Sequence, residues 1–120
     1  MTIRKMKVNG NEYQFINNSR STRNGFAHDT TLFKNGYELN DYSCHYLNRT
    51  WECYRYQTVM KYCVTEIINK LYDRFINNYK YENKIKRMTA EKRETAEKEF
   101  NNRADIKELR KVYKKLDLNE

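Results

Sequence analysis

The chain has 120 residues, a formal net charge of +8 and no proline. This length fits one domain with one modest core, so residues 1–120 are expected to form a single domain. The basic balance favours an acidic partner, either nucleic acid or a protein that handles nucleic acid. No apolar run reaches the length of a membrane span or a signal peptide, and three Cys argue against a disulfide framework. The expected location is the cytoplasm.

Residues 1–47 carry the pattern of an antiparallel meander of three or four strands. Apolar residues alternate loosely over Thr2–Val8, and Asn9-Gly10 follows as a tight-turn signal. β-type composition resumes after a polar stretch at 17–25, which is predicted to be a loop. Asn35-Gly36 is the second turn signal. Two Asn-Gly turns between β-rich runs predict two hairpins.

A long amphipathic helix is predicted over residues 50–82. Apolar side chains recur there at spacings of three and four residues, which is typical of a helix with one face on a sheet. Asn48 or Thr50 is the expected N-cap, and Glu52 is favourably placed in the first turn. The predicted fold class is therefore α+β, with the meander first and the helix across one face of the sheet.

The charged segment 88–118 predicts one or two further helices, with Asn101-Asn102 as a break. Beyond the break, apolar residues form one stripe at helical spacing. The stripe comprises Ile106, Leu109, Val112, Tyr113 and Leu116. It either packs back on the domain or forms a partner or dimer surface.

Four residues suggest either a structural zinc site or ordinary buried thiols and imidazoles. They are His28, Cys44, His45 and Cys53. Zinc takes four N and S ligands and contributes folding energy, although the spacing here matches no standard finger. A two-residue turn at Asn35-Gly36 would pair Lys34 with Tyr37 and place His28 opposite Ser43. His28 and His45 would then be diagonal neighbours on one face, and a one-residue bulge would change this.

No motif in the chain indicates catalysis. Cys63 lies about 15 Å along the helix from Cys53 and is predicted to be a core thiol. The chain contains Cys and His residues that could form a nucleophile and its base, but no local motif supports such a pair. Three isolated glycines cannot build a phosphate-cradling loop. The sequence therefore predicts a protein that is not an enzyme.

Neighbouring basic and aromatic side chains predict a partner-binding surface. The predicted partner-binding residues are Arg49, Trp51, Arg55, Lys70, Arg74, Lys84, Lys86 and Arg87. Arg and aromatic groups together suit either base stacking with phosphate contacts or a protein-interface hot spot. The alternative is that Trp51 fills the junction between sheet and helix while the basic side chains face solvent.

Two stretches carry a resemblance to known proteins: GFAHDTTLF at Gly25–Phe33 and NRTWECYRYQTVM at Asn48–Met60. With them the chain looks like small proteins from phages and mobile elements of Gram-positive bacteria. It most resembles type II-A anti-CRISPR proteins, small inhibitors of Cas9, at least one of which is a zinc metalloprotein. The resemblance covers roughly residues 25–62. It implies non-enzymatic inhibition in the host cytoplasm by binding Cas9, or its complex with guide RNA, and blocking DNA loading or cleavage. The alternative is a small basic phage protein that binds nucleic acid itself.

Overall fold

A computed structural model of the protein describes residues 1–23, 25–40, 44–48 and 56–118, with the backbone alone for Thr22, Phe26, 44–48, Tyr56 and Leu118. These residues form an antiparallel sheet followed by helices, which confirms the predicted α+β fold. The elements are β1 Thr2–Val8, β2 Asn11–Thr22, β3 Gly25–Lys34, β4 Tyr37–Glu38, β5 Cys44–Asn48, α1 Tyr56–Glu82, α2 Ala90–Asn101 and α3 Ala104–Leu118.

Both Asn-Gly pairs form the predicted hairpin turns. The φ angles are 53° and 81° at Asn9 and Gly10, and 50° and 84° at Asn35 and Gly36. Two consecutive positive φ angles are the signature of the type I′ turn, whose twist matches that of the strands it joins. The Asn35 side chain also accepts a hydrogen bond from the Glu12 backbone N–H at 2.8 Å, which ties the second turn to the first hairpin.

The predicted loop at 17–25 is wrong for most of its length, because β2 continues to Thr22 and pairs with β3. Polar side chains on these strands satisfy one another across the sheet. The Thr30 hydroxyl donates to Asn17 Oδ1 at 2.9 Å, and Arg20 pairs with Asp29 at 2.9 Å. Such cross-strand pairs stabilise a strand without apolar alternation, which is why the composition suggested a loop.

The far edge of β3 is shared by two short strands, β4 and β5. Lys34 pairs with Tyr37 as predicted, but His28 pairs with Tyr46 and not with Ser43. The buried side chain of Asn40 explains the interruption. Its Oδ1 accepts from the Leu32 N–H at 3.0 Å and its Nδ2 donates to the Thr30 carbonyl at 3.2 Å, so a side chain replaces the strand ladder there.

One face of the sheet packs against α1 and α3 in a common core. Of the two alternatives for the C-terminal stripe, the structure shows packing on the domain, because Leu109, Val112 and Leu116 are buried with the sheet. The core cluster consists of Val8, Tyr13, Phe15, Leu32, Met60, Cys63, Val64, Ile67, Leu109, Val112 and Leu116. Of the predicted helix-start residues, Asn48 ends β5, while Thr50 and Glu52 lie outside the described residues.

The C-terminal half of α1 packs against α2. Thr89 caps α2 by accepting a hydrogen bond from the Lys92 N–H. The buried ring of Phe100 lies 5.2 Å from the Tyr72 ring centroid and 5.6 Å from that of Phe75. The break predicted at Asn101-Asn102 is confirmed, since α2 ends at Asn101. None of the described helices combines the length and the apolar character that crossing a membrane requires.

Candidate functional site

The exposed side of α3 carries five basic side chains. Each lies three or four residues from another, or next to it in the sequence, so all five are on one side of the helix. This surface, called the α3 face below, consists of Lys107, Arg110, Lys111, Lys114 and Lys115, all of them exposed. Within the part of the chain that the structure describes, none of the five pairs with a carboxylate. The α3 face therefore presents five positive charges to solvent.

The three acidic residues of α3 are all engaged elsewhere. Asp105 forms an ion pair with Arg103 at 2.7 Å, and Asp117 pairs with Lys61 of α1. Glu108 is buried against the sheet, where Tyr13, Asn11 and Lys34 surround its carboxylate. By residue count α3 carries only two more basic than acidic groups, so these pairings produce the strong local charge of its exposed side.

Glu108 fixes α3 on the sheet through three partners. Its carboxylate accepts hydrogen bonds from the Tyr13 hydroxyl and, at 2.7 Å, from Asn11 Nδ2, and Lys34 Nζ lies 3.3 Å away. Burial acts to raise the pKa of Glu108, but these partners outweigh it and hold the pKa below its usual value. Burial and the neighbouring carboxylate raise the pKa of Tyr13. Glu108 is thus charged and Tyr13 protonated near neutral pH.

The edge strand β1 extends the basic surface beside α3. Lys115 Nζ donates to the Lys7 carbonyl at 2.5 Å, and Arg4 donates to the Lys115 carbonyl at 3.5 Å. Lys5 and Lys7 are themselves exposed. Glu12 is the register partner of Lys7 and offsets part of this charge. β1 therefore adds to the positive potential next to the α3 face.

A groove of about 320 Å³ runs between α1 and α3 at the border of the α3 face. Its lining combines cationic, aromatic, apolar and amide groups. The lining residues are Thr65, Ile68, Asn69, Arg110, Tyr113 and Lys114. Tyr113 is half-buried and packs against the core, and Lys61 Nζ lies 5.7 Å from its ring centroid. An aromatic ring is thus held in place beside two cations of the α3 face.

The sequence-predicted binding residues fall into separate regions. Lys70 and Arg74 lie one helical turn apart on α1 and line a cavity of about 300 Å³ with Leu39 and Asn40. The remaining described members, Lys84, Lys86 and Arg87, are exposed in the connection after α1 ends at Glu82. Eight residues of helix, about 12 Å, separate Arg74 from that end. Arg49, Trp51 and Arg55 lie outside the described residues.

The sequence prediction missed the α3 face, although its spacing was legible. The apolar stripe of segment 88–118 indicates which side of the helix is buried, and the Lys and Arg between the stripe positions lie three and four residues apart along the other side. The sequence could not show where the acidic residues go. Glu108 meets Tyr13 across 95 positions of sequence, and Asp117 meets Lys61 across 56.

The predicted zinc ligands are not arranged as the sequence suggested. The strand ladder pairs Cys44 with Thr30 and His45 with Asp29, a shift of three residues from the predicted register. An odd shift exchanges the two faces of a strand. The predicted placement of His28 and His45 on one face is therefore wrong, and position 44 is the one that shares a face with position 28.

His28 and Cys63 are buried in the described structure, and each makes a polar contact. His28 Nδ1 lies 2.6 Å from Ser19 Oγ, and burial lowers the pKa of His28 although Asp29 acts against this. Cys63 is a core thiol as predicted, 3.7 Å from the Thr30 carbonyl. Cys53 and the side chains of Cys44 and His45 are outside the described set. The side chains that are described include no group of three His, Cys, Asp or Glu able to hold a metal ion.

Comparison of the chain with protein-family models, curated proteins and solved structures finds no match. The resemblance to anti-CRISPR proteins stays a prediction. The functional argument therefore depends on the chemistry of the surface, and the α3 face is the strongest feature of the described residues.

Proposed function

We propose that the protein is a non-enzymatic binding protein that contacts the phosphate backbone of nucleic acid through the α3 face. The observation that carries the proposal is the separation of charge on α3: among the described residues no carboxylate pairs with its five exposed cations, and each of its acidic groups is in an ion pair or buried. Lys and Arg that neutralise phosphates release condensed counterions, which supplies sequence-independent affinity. Arg110 can in addition donate two parallel hydrogen bonds to one phosphate.

The dimensions of the α3 face suit a nucleic-acid backbone. Lys107 and Lys115 are eight residues apart, which corresponds to about 12 Å along the helix axis. That length is comparable with three to four nucleotides at a rise of about 3.4 Å each. A row of cations that tracks a regularly charged polymer is the arrangement by which proteins bind nucleic acids without reading their sequence. The proposed location is the cytoplasm of a bacterial host, where such a partner is present.

Inhibition of Cas9 is the second function that we propose, on the basis of the resemblance at Gly25–Phe33 and Asn48–Met60. The charge of the α3 face bears on how such inhibition would work. The Cas9 channel that holds the guide–target heteroduplex is positively charged, so a basic face would be repelled from its walls. Contact with the guide RNA or target DNA is the form of Cas9 inhibition that this charge favours.

A pair of matched variants tests where nucleic acid binds. K107Q/R110Q/K114Q removes two Lys and one Arg from the α3 face, and K84Q/K86Q/R87Q removes the same residue types from the connection after α1. Both variants lower the net charge by three. Binding of a fluorescently labelled oligonucleotide, measured by anisotropy at about 50 mM salt, should weaken at least about tenfold for the α3 variant and much less for the other.

A larger loss of affinity in K84Q/K86Q/R87Q than in the α3 variant would indicate that nucleic acid binds at the predicted residues Lys84, Lys86 and Arg87. Equal losses of affinity in the two variants would mean that binding depends only on net charge. Undetectable binding by the unmodified protein would refute phosphate recognition. For the second function, the protein is added to Cas9 with guide RNA before target DNA. If the protein inhibits Cas9, the unmodified protein should reduce DNA cleavage by Cas9, and the α3 variant should not. Cleavage by Cas9 that is unchanged in the presence of the unmodified protein would rule out this function.

A further inference from the structure

We propose that the groove between α1 and α3 holds an unstacked base of a single-stranded nucleic acid, with the Tyr113 ring as the stacking surface. This inference rests on the proposed function and narrows its ligand from nucleic acid in general to single strands. It adds a second contact to the phosphate contacts of the α3 face.

Tyr113 is the aromatic side chain that the described structure places within the basic surface. Arg110 and Lys114 line the same groove and precede and follow Tyr113 in α3. A strand whose phosphates lie on these two cations would carry its bases over the groove. The most exposed tyrosines among the described residues, Tyr37 and Tyr81, do not line this groove.

The Tyr113 ring is constrained before any ligand arrives. Tyr113 packs against the core and lines the groove, and Lys61 Nζ lies over its ring, 5.7 Å from the centroid. A ring that is already held loses little conformational freedom on stacking, which favours affinity. The groove volume of about 320 Å³ lies at the lower end of the range for small-ligand sites.

The rest of the lining suits a base more than an aliphatic group. Ile68 offers an apolar surface, while the Asn69 amide and the Thr65 hydroxyl offer hydrogen-bonding groups at the rim. The Thr65 hydroxyl donates to the Lys61 carbonyl at 3.1 Å, so its oxygen can still accept. Cationic groups for the backbone together with an aromatic platform for the bases is the combination used for single strands.

Single-stranded and duplex ligands should differ because a paired base cannot enter the groove without leaving its stack. Stacking of a base on an aromatic side chain strengthens binding by about 5- to 150-fold as measured by its removal. The phosphate contacts of the α3 face are available to both ligands. The preference for single strands should therefore depend on Tyr113, and the common affinity on the basic residues.

The test compares Y113F, which keeps the ring, with Y113L, which keeps an apolar side chain without it. Single-stranded and duplex oligonucleotides of one sequence are titrated by anisotropy, and the unfolding temperature of each variant is measured alongside. We expect Y113F to bind single strands like the unmodified protein and Y113L to bind them about 5- to 150-fold more weakly. Duplex binding should change little in both variants.

A second measurement needs no variant. An oligonucleotide that contains the fluorescent base 2-aminopurine should lose emission when that base stacks on Tyr113 in the unmodified protein. Unchanged 2-aminopurine emission on saturation at every position tried would overturn the inference, even if Y113L failed to fold. So would equal losses for single strands and duplex in a folded Y113L.

The failures of the two proposals are distinguishable. If both ligands bind equally well, and K107Q/R110Q/K114Q weakens both while Y113L weakens neither, then the phosphate-binding function stands and the base-binding groove is wrong. If the unmodified protein binds neither ligand, both proposals fail together.

Discussion

Replacing Glu108 by Ala should strongly destabilise the protein, because it removes the anchor that holds α3 on the sheet. Tyr13 is only 1% exposed, so its hydroxyl would lose its acceptor with little access to water. An unsatisfied buried hydroxyl costs about 1–3 kcal/mol, and a hydrogen bond to a charged group contributes about 1.5–3 kcal/mol. With Lys34 also losing its partner, we expect E108A to lower the free energy of unfolding by about 3–5 kcal/mol.

Urea unfolding followed by circular dichroism near neutral pH measures this change. Y13F/E108A removes donor and acceptor together, so the double variant should be more stable than the sum of its single changes by about 1–3 kcal/mol. E108Q keeps an acceptor for Tyr13 and should cost less than E108A. A loss below about 0.5 kcal/mol in E108A would refute the reasoning, because surface substitutions alone produce changes of that size.

The contribution of Glu108 to the free energy of unfolding should also depend on pH, in a direction that follows from its pKa. The pKa of Glu108 is lower in the folded protein than its ordinary value of 4.5, so folding favours the charged form. This contribution to stability is fully present above about pH 4.5 and is lost as the pH falls through the lowered folded pKa. E108Q should lack that part of the acid sensitivity. Parallel acid-unfolding curves for E108Q and the unmodified protein would contradict the network.

Three further predictions concern other parts of the fold. Burial lowers the pKa of His28, so folding favours the neutral imidazole. The contribution of His28 to the free energy of unfolding should therefore be greatest above the ordinary histidine pKa of 6.5 and should fall as the pH drops through the folded pKa. Urea unfolding of H28Q should show less of this decline. Phe100 is 2% exposed, so F100A should cost about 3–5 kcal/mol in the same assay, whereas the exposed control K92A should stay within about 0.5 kcal/mol. Elemental analysis of protein prepared without added metal decides between the two alternatives for the four candidate ligands: about one zinc per chain, lost in C44S, would indicate the structural site, and a clearly substoichiometric content would leave them as ordinary residues.

The parts of the fold that depend on short-range chemistry were predictable. Asn-Gly pairs need no tertiary partner to favour a type I′ turn, and the turns formed at Asn9-Gly10 and Asn35-Gly36. The apolar spacing of α1 and α3 fixed which sides of these helices face the core. Long-range polar contacts decided the rest. Asn17 is satisfied by Thr30 on the next strand, which let β2 run through a stretch with loop composition.

The register of β5 and the candidate site illustrate the same limit. Nothing in the local sequence shows that the Asn40 side chain replaces backbone partners of β3, yet this is where the ladder restarts in a shifted register. The α3 face was legible as a spacing of Lys and Arg. Its charge density was not, because that depends on the distant partners of Glu108 and Asp117.

Salt dependence of binding tests the central claim, that the α3 face neutralises phosphates, most directly. Contacts to four phosphates of a single strand predict that log K falls against log salt concentration with a slope of about −2.8, or about 50-fold between about 50 and 200 mM. K107Q/R110Q/K114Q keeps two of the five basic residues, so its slope should be about −1.4, or less than about tenfold over that range. Equal slopes for the variant and the unmodified protein would contradict the claim.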